Sequence, residues 1–268
     1  MELTLASVLT NLMVGFFIGA AIGLTGIGGG VLIIPSLIHI IKIPPVSAIG
    51  TGLFFSLLTR IIAIIEHSRQ NTIRKRTAVY FIIGSAPSVI ASSYAVNYLS
   101  KVVDKAKLDH MLQIGIFAII SLTCVILIAQ TVFRKEKAFY APRSEFSLKR
   151  KLGGILFGIL VGILIGTTSI GGGVFIIPIL IIFFNLSARD TVGTSIIITF
   201  VLALLGSTVY LLSGNVILPV AILMATGSIA GVSLGCRLAV KLPDRVLRYV
   251  IISVTILAAA VMFLGLKH

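Results

Sequence analysis

The sequence predicts an all-α polytopic membrane protein. It is expected to consist of two inverted-topology repeats of about five hydrophobic segments each, with broken or re-entrant helices at two Gly-Gly-Gly motifs. Three observations predict this: a composition too apolar for a water-facing surface, a gapless internal repeat, and basic residues concentrated in particular loops.

Of the 268 residues, 57% are hydrophobic and 11% charged, with a mean hydropathy of +1.15. A soluble domain carries about 25% charged residues, so this chain lacks the charge to cover a water-exposed surface, and lipid is its expected solvent. Long apolar runs then read as membrane-spanning helices. The runs cover 5–25, 31–43, 46–65, 77–99, 110–133, 152–168, 174–186, 191–212, 216–236 and 246–266. About 20 residues are needed to cross the hydrocarbon core. The second and seventh runs are too short, and are expected to dip in or to cross only with a tilt.

The net charge of +14 would suit nucleic acid. Its distribution argues against that partner, because the basic residues sit in short loops between apolar runs. Arg69, Arg74, Lys75 and Arg76 form one cluster; Arg134, Lys135, Lys137, Arg143, Lys149, Arg150 and Lys151 a second; Arg237, Lys241, Arg245 and Arg248 a third. That is the pattern of cytoplasmic loops beside a membrane. Cys124 and Cys236 lie in or at the edge of apolar runs and read as small buried residues. They offer no disulfide framework or metal spacing, so neither a metal nor a cofactor is expected. Met1 to Thr10 carries no basic residue ahead of its apolar run, so a cleaved signal peptide is not expected.

The repeat has an offset of 143 residues. Residues 15–35 read GFFIGAAIGLTGIGGGVLIIP and residues 158–178 read GILVGILIGTTSIGGGVFIIP, with thirteen of 21 positions identical. The register continues: Gly50-Thr51-Gly52 aligns with Gly193-Thr194-Ser195, Ser56 with Thr199, and Gly84-Ser85 with Gly227-Ser228. Chance similarity between apolar segments would not keep Gly, Thr and Pro in step over about 70 residues. An odd number of crossings per unit would start the second unit from the opposite side, as in many secondary transporters.

Loop charges agree with inversion. With the linker placed inside, sixteen basic residues lie on the cytoplasmic side and five outside, leaving Arg60 within a helix. Residues 68–76 are strongly basic, whereas their partners 211–219 carry no charge. Both termini are then extracytoplasmic. The expected organisation is a first membrane repeat over 1–133, a cytoplasmic linker over 134–150 containing Pro142, and a second membrane repeat over 151–268. The expected location is the cytoplasmic membrane; the sequence sets no oligomeric state.

Candidate chemistry centres on Thr25-Gly26-Ile27-Gly28-Gly29-Gly30 and its copy Thr168-Ser169-Ile170-Gly171-Gly172-Gly173. Three glycines break a helix, and Pro35 and Pro178 limit how the next segment continues. Breaking a helix at membrane depth frees backbone polar groups, which are tolerated only against protein or a watery cavity. The following helix presents its N-terminus, so two such ends brought together would suit an anion. The competing reading is a tight turn that permits close helix packing. No Lys-Ser or Lys-Thr follows, so this is not a nucleotide loop.

Thr51 and Ser56, matched by Thr194, Ser195 and Thr199, place hydroxyls at membrane depth. They could donate to a substrate oxygen, or bond their own or a neighbouring helix. Glycines recur every fourth residue at Gly15, Gly19 and Gly23, at Gly154, Gly158, Gly162 and Gly166, and at Gly227, Gly231 and Gly235; this spacing reads as close helix contact. Arg60 is the one charge well inside an apolar run and must face protein or water. It would suit an oxyanion, or pair with Glu66, or reach toward the cytoplasm. Its repeat partner is Ala203. Glu66 and His67 read as interfacial, with a proton relay as the alternative. No intramembrane Ser/His pair, paired aspartates or His-rich cluster suggests an enzyme.

The duplicated Gly-rich segments, the downstream Gly-Thr elements and the charged linker together resemble the sulfite exporter TauE/SafE-type family of membrane permeases, over nearly the whole chain. The resemblance implies movement of sulfur-containing or organic anions such as sulfite and sulfonates. It also implies a central site lined by Gly28–Gly30, Pro35, Gly171–Gly173, Pro178, Thr51 and Thr194. The chain departs from the family pattern at Asn71, where Gly214 fits in the second half, at Pro87 and at Arg60. The reading that follows is a permease for a small anion. The alternatives are transport of a carboxylate or cation, or a non-transporting membrane assembly protein.

Overall fold

The computed structural model describes residues 5–25, 30–69, 73–133, 148–170, 172, 175–186, 188–241, 253 and 256–264. Among these the regular structure is entirely helical: α1 Leu5–Thr25, α2 Gly30–Pro35, α3 Pro45–Arg69, α4 Lys75–Val102, α5 Lys105–Phe133, α6 Leu148–Thr168, α7 Ile176–Ile182, α8 Ala188–Leu212 and α9 Leu218–Lys241. Residues 256–264 are also helical. Six of the described helices are long and apolar enough to cross a membrane. The chain is an all-α, multi-pass membrane protein.

The two short runs are short helices. Pro35 is the last residue of α2, and Ser36–Ile40 continue the helix with one wider π-helical turn. Proline has no N–H to give the preceding turn, and the wider turn follows directly on that loss. α2 and α7 end alike. Ile43 N–H bonds the Leu37 carbonyl at 2.9 Å and Leu186 N–H bonds the Leu180 carbonyl at 3.1 Å. Ile41 bonds Ser36 at 3.0 Å, and Phe184 bonds Ile179 at 3.4 Å. Lys42 and Asn185 make the bend at φ 64° and 54°. Both ends close on a left-handed residue with bonds one residue wider than those of a Schellman motif, and every atom pair recurs at the 143-residue offset.

Long helices sort their faces by residue size. Leu5, Leu9, Met13 and Phe17 on α1 are exposed, as are their counterparts Leu148, Leu152, Leu156 and Leu160 on α6. These faces meet lipid. The opposite faces carry glycine and pack against helices of the other half. Gly15 abuts the Met224 backbone and Gly227 the Leu12 carbonyl; correspondingly Gly158 abuts the Phe81 carbonyl and Gly84 the Ile155 carbonyl. A β-carbon on Gly19 would lie 2.7 Å from Ser228 Cα, and one on Gly162 would lie 2.9 Å from Ser85 Cα. α1 therefore runs along α9, and α6 along α4. The residue order rises together within each pair, so each pair is parallel.

Between these pairs, α3 crosses α8. Gly50 faces Tyr210, Leu53 faces Gly206, and Arg60 bonds Thr199. Rising numbers on α3 meet falling numbers on α8, so these two helices, equivalent by sequence offset, run antiparallel. Phe55, Ile49, Leu53, Ile198 and Leu202 fill the core around them.

Candidate functional site

Both glycine bends converge beside the α3–α8 crossing. A β-carbon on Gly30 would stand 2.9 Å from the Ser169 carbonyl oxygen and 3.4 Å from Ile170 Cα. The start of α2 thus touches the backbone just beyond α6. Gly52 on α3 closes the third side, where a β-carbon would lie 3.2 Å from Ser169 Oγ and 3.1 Å from Ile33 Cγ2. Gly28, Gly29, Gly171, Gly173 and the Thr25 side chain lie outside the described residues.

Ser169 is held in the left-handed region at φ 57°, a conformation that costs a non-glycine residue about 1–2 kcal/mol. It is buried, and its hydroxyl has no hydrogen-bond partner among the described residues. Its neighbour Thr168 is satisfied locally, donating to the Leu164 carbonyl at 2.6 Å and accepting from Ile170 N–H at 3.3 Å.

Arg60 reaches the second bend from α3. Its Nε–H donates to Thr199 Oγ1 at 2.8 Å and Nη1 donates to the Ser56 carbonyl at 3.0 Å. A β-carbon on Gly172 would lie 3.3 Å from Nη2. Ser56 and Thr199 are equivalent by the repeat, so the single guanidinium bridges the two halves at matched positions. Thr199 in turn donates to the Ser195 carbonyl at 2.7 Å, which fixes its oxygen as an acceptor for Arg60. Ser195 donates to the Val192 carbonyl at 2.8 Å. No carboxylate among the described side chains pairs with Arg60.

Thr51 and Thr194 do something different. Thr51 Oγ1 accepts the Ile217 N–H at 3.0 Å, and Thr194 Oγ1 accepts the Arg74 N–H at 3.0 Å. Residues 74 and 217 are themselves equivalent, so each half's threonine ties down the connection that enters the other half's helix, α9 or α4. One tie is reinforced by charge: Arg74 Nη2 meets the Asp190 carboxylate at 2.7 Å. Pro178 lies in the first turn of α7, where a missing N–H costs little.

Of the residues singled out in the sequence, the structure places Ser56, Arg60, Thr199 and Gly172 together, with Gly30, Gly52 and Ser169 meeting beside them. Asp190, which pairs with Arg74, was not singled out in the sequence.

The sulfite exporter TauE/SafE profile matches residues 11–262. The chain is 32% identical to the probable membrane transporter protein YjnA of Bacillus subtilis, over 92% of this chain and 96% of that one. It is 26% identical to the probable membrane transporter protein YunE of the same organism, over 87% and 89%. It is 28% identical to the probable membrane transporter protein MJ0441 of Methanocaldococcus jannaschii, over 91% and 90%. No solved structure matches. With a family profile spanning almost the whole chain and relatives matched end to end, the chain belongs to the sulfite exporter TauE/SafE family and is a membrane transporter.

Proposed function

We propose that the chain is a secondary transporter that moves a small anion, a sulfur oxyanion or organosulfonate, across the cytoplasmic membrane. Residues 1–133 and 151–268 act as two inverted repeats that rock around the glycine bends, joined by a cytoplasmic linker at 134–150. Antiparallel α3 and α8 and the exchanged contacts of α1 with α9 and of α6 with α4 support that arrangement.

One observation carries the anion reading. Arg60 projects its guanidinium at Gly172, oriented by Thr199, beside the place where Gly30 meets Ser169. A guanidinium presents paired N–H donors that match an oxyanion, and a half-buried cation in a membrane protein is costly without an anion or water to meet it. Outward movement of an anion is favoured by the inside-negative potential, by about 2.3 kcal/mol per charge at 100 mV. Export therefore needs no coupled ion.

Proteoliposomes loaded with labelled sulfite or a small sulfonate test the reading. Wild-type protein is expected to release them faster than empty liposomes. Arg60→Gln and Gly172→Leu are expected to reduce release at least tenfold. Equal release from variants and wild type, or release only of a carboxylate or a cation, contradicts it.

A further inference from the structure

The serines of α4 follow one rule with one exception. Ser85 and Ser88 donate to carbonyls four residues back at 2.8 Å, and Ser92 and Ser100 donate three residues back at 3.3 Å and 2.8 Å. That is the usual way to satisfy a serine inside an apolar helix. Ser93, fully buried, has no hydrogen-bond partner among the described residues. Its Oγ faces Gly166, where a β-carbon would lie 3.1 Å away, one turn before the bend at Ser169. A buried hydroxyl without a partner calls for a water or a ligand.

Polar groups continue from Ser93 toward the surface. Asn97, one turn on, donates Nδ2 to the Ser93 carbonyl at 2.8 Å. Its Oδ1 accepts Asn215 Nδ2 at 2.6 Å. Asn215 follows the left-handed Gly214 in the α8–α9 connection and is only half-buried. On the inner side of Ser93, Tyr210 donates its hydroxyl to the Gly166 carbonyl at 2.8 Å, occupying a carbonyl at the end of α6. Polar groups therefore line the way from the connection to Gly166, one turn short of the bend, interrupted at the unpartnered Ser93 hydroxyl. Tyr210 faces Gly50, and Arg60 stands ten residues further along α3. The guanidinium reaches back to the Ser56 carbonyl, so at 1.5 Å rise per residue it lies about 9 Å along the helix from the level of Gly50.

We propose that Ser93, Asn97 and Asn215 form a second, uncharged station for the same small anion and its water on the opposite side of the bends from Arg60, with the Asn97–Asn215 amide pair as its door. The station deepens the transport reading above and rests on it. The hydroxyl at Ser93 and the amide groups of the asparagines supply hydrogen bonds to oxyanion oxygens without a fixed charge. An anion leaving Arg60 is thereby held in water-like surroundings, not trapped.

Full-length protein with Cys124 and Cys236 replaced by alanine carries the test, in right-side-out and inside-out vesicles. Ser93→Cys is near-isosteric, and its thiol would be exposed to the impermeant anionic reagent 2-sulfonatoethyl methanethiosulfonate. The expected result is modification from the outer face only, slowed several-fold by Asn97 and Asn215 when intact and accelerated in Asn97→Ala. Arg60→Cys is expected to react from the inner face. No reaction of Ser93→Cys from either face, or reaction of both thiols from one face, overturns the station. Labelling needs no transported substrate. One-sided modification of Ser93→Cys in a protein that releases no sulfite or sulfonate therefore upholds the station while it refutes the substrate assignment.

Discussion

Arg60 takes its orientation from a chain of short bonds: Nε to Thr199, then Thr199 to the Ser195 carbonyl. A hydrogen bond to a charged group contributes about 1.5–3 kcal/mol. Thr199→Val should therefore lower anion flux about tenfold at unchanged protein level, while Thr199→Ser restores it. Flux in reconstituted vesicles measures both. The bent residues allow a second expectation at this scale. Lys42 and Asn185 sit in the left-handed region, which penalises β-branched side chains most. Lys42→Val and Asn185→Val should each destabilise the protein by about 1–2 kcal/mol, whereas Lys42→Gly should not, as thermal unfolding in detergent would reveal. Arg60 was visible in the sequence as a lone charge in LFFSLLTRIIAII, but its position was not. Its repeat partner is Ala203, so the internal symmetry gave no clue that it lies between Ser56 and Thr199. Ser93 was invisible for another reason. A serine in an apolar helix normally bonds its own backbone, and only three-dimensional neighbours reveal the exception.

Glycine spacing announced close helix contact at the element scale without saying which helices meet. The contacts exchange across the halves, α1 with α9 and α6 with α4, and the choice depends on where the chain turns, not on any local pattern. At Gly162 a β-carbon would press on the Ser85 and Ser88 atoms, whereas at Gly115 nothing lies within 4 Å. Gly162→Leu should therefore force α4 and α6 apart and cost at least 1–3 kcal/mol, seen as a lower unfolding temperature in detergent. Gly115→Leu should leave that temperature unchanged. Helix ends departed from the apolar runs where charges begin. The run expected over 152–168 starts at Leu148, and that expected over 46–65 reaches Arg69. Lysine and arginine are good helix formers, so helices continue past the hydrocarbon boundary that hydropathy marks.

For the whole molecule, the 143-residue offset was the most informative feature of the sequence, because it survives as geometry. Matched turns end α2 and α7, and matched threonines hold the connections at residues 217 and 74. The proposed site departs from that symmetry. Arg60, the Arg74–Asp190 pair and the Asn97–Asn215 pair have no counterparts in the other half, and such single features cannot be read from a repeat. Rocking about the bends requires the halves to lie upside down relative to each other, so that the connections at residues 74 and 217 face opposite sides of the membrane. The most direct measurement uses Arg76→Cys and Ser213→Cys, each alone in a cysteine-free background, in right-side-out vesicles treated with an impermeant maleimide. The expected result is that Ser213→Cys is modified in intact vesicles and Arg76→Cys only after permeabilisation. Modification of both in intact vesicles, or of neither until permeabilisation, would contradict it.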